Sequence, residues 1–149
     1  MKHISKWLIP AGPLALAMSM VMTSGSALAA QYDGTDPNST GCATASLTST
    51  VYSVSNVDGF GGFLELRWSG KCDTAWARFT CHASNGCFNF RVSIARDDGA
   101  SESVEVPWPD WMWSGDQIYT LQLNDGSQYT AQACYLDENR GTERCTPSF

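Results

Sequence analysis

The segment Val106-Pro107-Trp108-Pro109-Asp110-Trp111-Met112-Trp113-Ser114 places three of the chain's six tryptophans within six residues. Indole rings stack on the C–H faces of sugars, and nearby carboxylates such as Asp110 and Asp116 can accept hydrogen bonds from hydroxyls, so this spacing suits recognition of a polysaccharide or a protein. Prolines at 107 and 109 exclude a central strand and favour a loop or an edge. Two arrangements satisfy that constraint: Trp108 and Trp111 close one end of the molecule as an apolar lid, or they stand exposed as a binding platform.

Three other groupings could do chemistry. Asp33, Asp36 and Asn38 put hard oxygen ligands beside Gly34, a composition that suits calcium, but their spacing is not that of a calcium loop and no closing carboxylate follows nearby. The same residues read better as structure, with Asp36 capping a helical turn, Pro37 at its first position and Gly41 ending it. His82 is the single histidine outside the first 29 residues and lies between Cys81 and Cys87; no G-x-S-x-G motif accompanies it, so a Ser-His-Asp hydrolase is not expected. A glycosidase-type carboxylate pair is defined by separation in space and leaves no signature in spacing. The chain is read as a non-enzyme that uses no cofactor.

The elements that must position these residues are strands. Apolar and polar residues alternate, and no stretch of ten residues keeps a 3.6-residue period, which predicts an all-β fold. Phe88, Phe90, Val92 and Ile94 share one face of a strand that turns through Asp97-Asp98-Gly99 into residues 102–106, a hairpin. A second hairpin is expected with Tyr119, Leu121 and Leu123 inward, turning at residues 124–127 and returning along 128–136. Earlier strands are expected at 46–54, 63–68 and 74–80. In the last two, a loop at 70–73 sets Ser69 opposite Thr74, Arg67 opposite Trp76 and Glu65 opposite Arg78 on an outer, wet face, with an Arg over an indole and an exposed ion pair. Leu64, Leu66 and Trp68 then meet Phe79, Ala77 and Ala75 on the inner face. About seven short strands imply a small antiparallel β-sandwich or a partly closed barrel, stabilised by disulfides.

Lys2, His3 and Lys6, an apolar run at 8–22 and the small-x-small sequence Ala27-Leu28-Ala29 have the form of a secretory signal peptide over residues 1–29, leaving 30–149 as a single secreted domain. The run is shorter than the roughly 20 residues of a membrane span, so no membrane association is expected after cleavage. The formal charge is −6, and it becomes more negative without Lys2 and Lys6. An acidic surface repels phosphate backbones, which argues against a nucleic-acid partner. The six cysteines, at 42, 72, 81, 87, 134 and 145, all follow residue 29, and an even number in an oxidising compartment predicts three disulfides. Of the possible pairings, proximity along the chain favours Cys81 with Cys87 and Cys134 with Cys145, leaving Cys42 for Cys72. A zinc site lacks the Cys-x-x-Cys pair it would need.

The stretches YDGTDPNSTGCA at 32–43, LELRWSGKCDTAWARF at 64–79, AQACYL at 131–136 and the terminal ERCTPSF resemble a family of small secreted bacterial proteins, found in actinobacteria and, as YjfA-like proteins, in bacilli, whose domain has no assigned function. The resemblance runs from Tyr32 to the C-terminus. It implies a secreted, disulfide-bonded domain in which Cys42, Cys72, Cys134 and Cys145 occupy the family's cysteine positions. Cys81 and Cys87 are then an added local pair, and Asp73 stands where relatives often carry Gly. Trp113-Ser114 matches a family motif, which implies a core position for Trp113. No catalytic residue, substrate or cofactor comes with the resemblance. The function expected is a monomeric, non-catalytic extracellular module that binds a glycan or a protein. The alternatives are a secreted effector or inhibitor, for which the tied Cys81–Cys87 loop is the pre-organised element, and a small hydrolase.

Overall fold

The computed structural model describes residues 30–149; residues 1–29, expected to be a signal peptide, lie outside the described residues. After a single 3-10 turn at Ala30–Tyr32, nine strands follow in order: β1 (Thr48–Ser55), β2 (Phe63–Ser69), β3 (Thr74–Thr80), β4 (Phe90–Arg96), β5 (Ser101–Val106), β6 (Gln117–Tyr119), β7 (Leu123–Asn124), β8 (Ala131–Asp137) and β9 (Thr142–Cys145). They form two antiparallel sheets. One has the order β1-β2-β3, with β6 and β7 both paired to the free edge of β3; the other has the order β5-β4-β8-β9. The sheets do not close into a barrel, so the fold is the sandwich.

The core lies between the sheets. Leu64, Leu66, Ala75, Ala77 and Phe79 from the first meet Phe90, Val92, Ile94, Ala133 and Tyr135 from the second. Phe79 sits 4.9 Å from the rings of both Phe90 and Tyr135, and the latter two stack at 5.2 Å. Alternation along β8 puts Ala131, Ala133, Tyr135 and Asp137 on one face, where Phe90 of β4 pairs with Asp137 and Val92 with Tyr135. The core stripe therefore ends in a phenol and a carboxylate at one end of the sandwich. Three disulfides join Cys42 to Cys72, Cys81 to Cys87 and Cys134 to Cys145, the last directly across β8 and β9.

The β2–β3 register is that read from the sequence, with Glu65 opposite Arg78, Arg67 opposite Trp76 and Ser69 opposite Thr74. The outer face, however, is not wet. Glu65, Ser69, Thr74 and Trp76 are buried, because residues 37–43 lie over this face, held by the Cys42–Cys72 bridge, and Asn38 and Ala43 share a recess with Arg67, Trp76 and Arg78. Arg67 does not lie over the indole; its guanidinium is drawn to the hydroxyls of Thr48 and Thr50 and to Glu65.

The second expected hairpin is also different. β6 and β7 pair with β3, whereas β8 pairs with β4 and β9, so residues 125–130 cross from one sheet to the other. Leu123 is in the core as expected, but Leu121 faces outward and Thr120 and Gln122 are buried in its place. Their polar groups are satisfied there: the Thr120 hydroxyl accepts the Ala77 amide at 3.1 Å, and the Gln122 amide accepts from Thr74 at 2.7 Å and donates to Thr35 and Thr40.

Candidate functional site

Four connections converge on the end of the sandwich where Tyr135 and Asp137 emerge: residues 56–62, 81–89, 107–116 and 138–141. The 107–116 connection carries the tryptophans. Trp108, Trp111 and Trp113 are 65%, 51% and 59% exposed, while Met112 between the latter two is buried. Trp113 is thus not a core residue, contrary to what the resemblance implied. Alternation explains it: Met112 forms a two-way backbone bridge with Cys87, with N–O distances of 2.8 and 2.9 Å, which turns Met112 inward and its neighbours out.

The segment is fixed along its length. The Asp110 amide donates to the Pro107 carbonyl, the Asp116 carboxylate accepts the Trp113 amide at 2.8 Å, Gly115 donates to the Cys81 carbonyl and the Cys81 amide to the Asp116 carbonyl. Asp116 is therefore a turn-holding residue, and Asp110 is an exposed one beside Trp111. Gly86 completes the join, since a side chain there would come within 2.9 Å of the Met112 carbonyl and its φ of +83° is a glycine conformation. The rings of Trp111 and Trp113 lie 5.3 Å apart, and Trp108 meets Phe88 edge-on at 5.5 Å.

Phe88 leads from the indoles into a pocket of about 220 Å³. Its walls include Phe60, Phe88, Asn85, Asn139 and Arg140, and Asp58, Tyr135 and Asp137 line it. One oxygen of Asp58 accepts the Phe60 and Gly62 amides, each at 2.8 Å; its other oxygen has only the Cys87 sulfur nearby, at 3.6 Å, and a disulfide sulfur carries no proton to donate. Gly62 is required for this turn, because a Cβ there would fall 2.5 Å from the Asp58 carboxylate. One oxygen of Asp137 likewise accepts the Asn139 and Arg140 amides, and the other faces the Arg140 guanidinium at 3.7 Å. Arg140 also donates to the Asp58 carbonyl at 3.2 Å and lies over Phe60. Burial, and then the charges of Asp58 and Asp137, push the Tyr135 phenol well above its ordinary range, against the opposing charge of Arg140, so its hydroxyl stays protonated and available as a donor.

The remaining candidates lie elsewhere. Asp33 accepts the Asn124 amide and faces Arg96 at 3.4 Å, while Asp36 accepts the amides of Asn38 and Ser39, so the carboxylates of the calcium reading are engaged by the protein, Asp36 as the cap of its turn. His82 is exposed within the Cys81–Cys87 loop. Among the described residues, the grouping with metal-ligand proximity is Cys134, Glu143 and Cys145, and its sulfurs are already joined to each other. Asp58 on one side and Tyr135, Asp137 and Arg140 on the other are not legible as a site because they come from two distant stretches, the β1–β2 connection and the end of β8 with its following turn; the one local signal is the pair of turns Asp58-Gly59-Phe60-Gly61-Gly62 and Asp137-Glu138-Asn139-Arg140-Gly141, each opening on an aspartate.

A family model described as a protein of unknown function, DUF2690, matches residues 30–134. No curated protein and no solved structure matches the chain.

Proposed function

The chain belongs to the family of proteins of unknown function DUF2690, and on that premise we propose that it acts outside the cell as a non-catalytic module that binds polysaccharide. The observation that carries this reading is the set of three exposed indoles on one fixed segment. A cluster of large exposed aromatics costs solvation in a free monomer, and contiguous apolar patches on small domains mark contact surfaces. Indoles already held in place lose little conformational entropy on binding. A polysaccharide fits better than a flat protein surface because the indoles adjoin a polar pocket too small for a protein element, through the Phe88–Trp108 contact.

Three disulfides in one small domain suit an oxidising, extracellular setting, as does the signal-like character of residues 1–29. A finer affiliation, to the secreted actinobacterial and bacillar YjfA-like proteins, belongs to the same reading. The net charge disfavours strongly anionic polymers. The non-catalytic part of the proposal rests on the pocket's chemistry: its lining holds no histidine, serine or threonine, and Asp58 and Asp137 each commit an oxygen to two backbone amides, a building role. The test is retention on insoluble chitin, cellulose and peptidoglycan, comparing the parent with a Trp108→Ala, Trp111→Ala, Trp113→Ala variant. The parent is expected to be retained on one of these at micromolar to millimolar strength, and the folded triple variant to be lost from it. Parent protein that passes through all three overturns the reading.

A further inference from the structure

The pocket beside the indoles is lined by three residues that are more than nine-tenths buried and that each keep a side-chain oxygen free of hydrogen bonds among the described residues: Asp58, Tyr135 and Asp137. Residues buried this far ordinarily pair their polar atoms within the protein, whereas these atoms open into the pocket. Among the described residues the Tyr135 hydroxyl has no hydrogen-bond partner, the second oxygen of Asp58 touches only a disulfide sulfur, and the second oxygen of Asp137 faces Arg140 beyond hydrogen-bonding distance. These atoms line one recess whose sides are the rings of Phe60 and Phe88. Two carboxylate acceptors and a phenol donor, flanked by two aromatic rings and by Asn85, Asn139 and Arg140, form a complementary set for vicinal hydroxyls on a ring with C–H faces.

We propose that this pocket takes one uncharged pyranose ring, the end unit of a glycan chain, with hydroxyls donated to Asp58 and Asp137 and one accepting from Tyr135. The inference rests on the polysaccharide reading and adds to it the position on the chain that is recognised. Size supports a single ring: about 220 Å³ is below the roughly 300–1,000 Å³ of pockets that enclose drug-sized ligands. Depth supports an end unit, since Tyr135, packed on Phe79 and Phe90, is buried in the core and closes the floor. Two carboxylates against one guanidinium disfavour uronic acids and other anionic sugars. The following units of the chain would pass Phe88 and reach the indoles.

The experiment titrates the full secreted domain with glucose, galactose, mannose and N-acetylglucosamine, with glucuronate as the anionic control, followed by the backbone amide NMR signals of Gly86, Asn139 and Arg140. At least one uncharged sugar is expected to shift these signals with millimolar affinity. Tyr135→Phe, which removes a hydroxyl that no protein group uses, is expected to keep the parent melting temperature and to weaken that sugar at least fivefold. Asp137→Asn, which keeps the oxygen that accepts the Asn139 and Arg140 amides, is a second variant and is expected to do the same. Glucuronate should bind more weakly than glucose. The inference is overturned if no uncharged sugar shifts the pocket signals, if both variants bind as the parent does, or if glucuronate binds as tightly as glucose. Failure of the two readings is distinguishable: polymer retention lost on indole removal but indifferent to Tyr135→Phe leaves the module standing without its end-unit pocket.

Discussion

The guanidinium of Arg78 donates through Nε to Glu65 Oε2 at 2.6 Å, directly across the β2–β3 ladder and under the cover of residues 37–43. Glu65 also accepts from the Thr50 hydroxyl at 2.7 Å and faces Arg67 at 3.4 Å, so one buried carboxylate holds three strands and two cations together. Burial alone would raise its pKa; hydrogen bonds from Arg78 and Thr50 and the charges of Arg78 and Arg67 outweigh it and hold the carboxyl below its ordinary 4.5.

Removing the charge of Glu65 leaves Arg67 and Arg78 uncompensated. Glu65→Gln should therefore cost about 2 kcal/mol in a denaturant titration, less than a fully buried pair because both arginines are partly exposed. Since the folded-state pKa is depressed, the stabilisation is present above about pH 4.5 and fades as the pH falls through the lower folded value. The parent should lose that contribution on acidification and the variant should have none to lose. Equal acid sensitivity would show that Glu65 does not carry it.

That ion pair was legible in the sequence, whereas much of the site was not, and the difference is physical. A tight hairpin fixes its own register, so the alternation in residues 64–79 and the opposed charges of Glu65 and Arg78 placed every pair. Pairing of β6 and β7 depends on Gln122, a polar residue whose burial is favourable only because Thr35, Thr40 and Thr74 arrive from elsewhere; local alternation favours Leu121 instead. In 108–113, four large apolar residues compete for an inward position, and the Cys87–Met112 bridge, a contact between distant segments, selects Met112. The pocket is the extreme case, because Asp58 and Asp137 are 79 positions apart and nothing local relates them.

Asp125 lies at the other end of the sandwich with both carboxylate oxygens buried and without a hydrogen-bond partner. Burial pushes its pKa up to about 7, with the charge of Asp97 in the same direction and that of Arg96 against it; Asp73 and Tyr129 line the recess beside it. Arg96 is itself engaged by Asp33 and Asp98. A carboxyl whose folded pKa exceeds its unfolded value near 3.9 binds its proton more tightly when folded. The resulting stability is full below about pH 4 and is lost as the pH rises through about 7. Asp125→Asn should thus melt higher than the parent at pH 8 and show no gain at pH 4. Thermal melts across that range that stay parallel for the two proteins would refute the assignment.

The Cys81–Cys87 bridge closes a short loop whose backbone holds the indole segment through Cys81, Cys87 and Met112. Replacing both cysteines with alanine should cost about 2 kcal/mol by the loop-entropy relation. It should also release the segment, so that acrylamide quenches tryptophan fluorescence more strongly and polysaccharide retention weakens although no tryptophan is removed. Retention equal to that of the parent would mean that the bridge stabilises the fold without organising the indoles.

Exposure and burial along one short segment give the last expectation. Trp111 and Trp113 stand out while Met112 is buried against the Cys81–Cys87 loop, with the Cys81 sulfur 3.7 Å from the Met112 carbonyl. Truncating an exposed side chain removes little buried surface, so Trp108→Ala, Trp111→Ala and Trp113→Ala should each change stability by less than about 1 kcal/mol. Met112→Ala leaves a cavity and should cost about 2 to 3 kcal/mol, and Trp76→Ala, at a buried indole on β3, about 3 to 5 kcal/mol. Denaturant titrations of the five variants separate the alternatives. If Trp113→Ala proved as costly as Trp76→Ala, the segment would be folded inward in solution as an apolar lid, and the binding platform would lose its third ring. The expected order instead places the cost on Met112 and Trp76 and the loss of binding on Trp108, Trp111 and Trp113, because on this segment the residue that holds the fold and the residues that face solvent alternate.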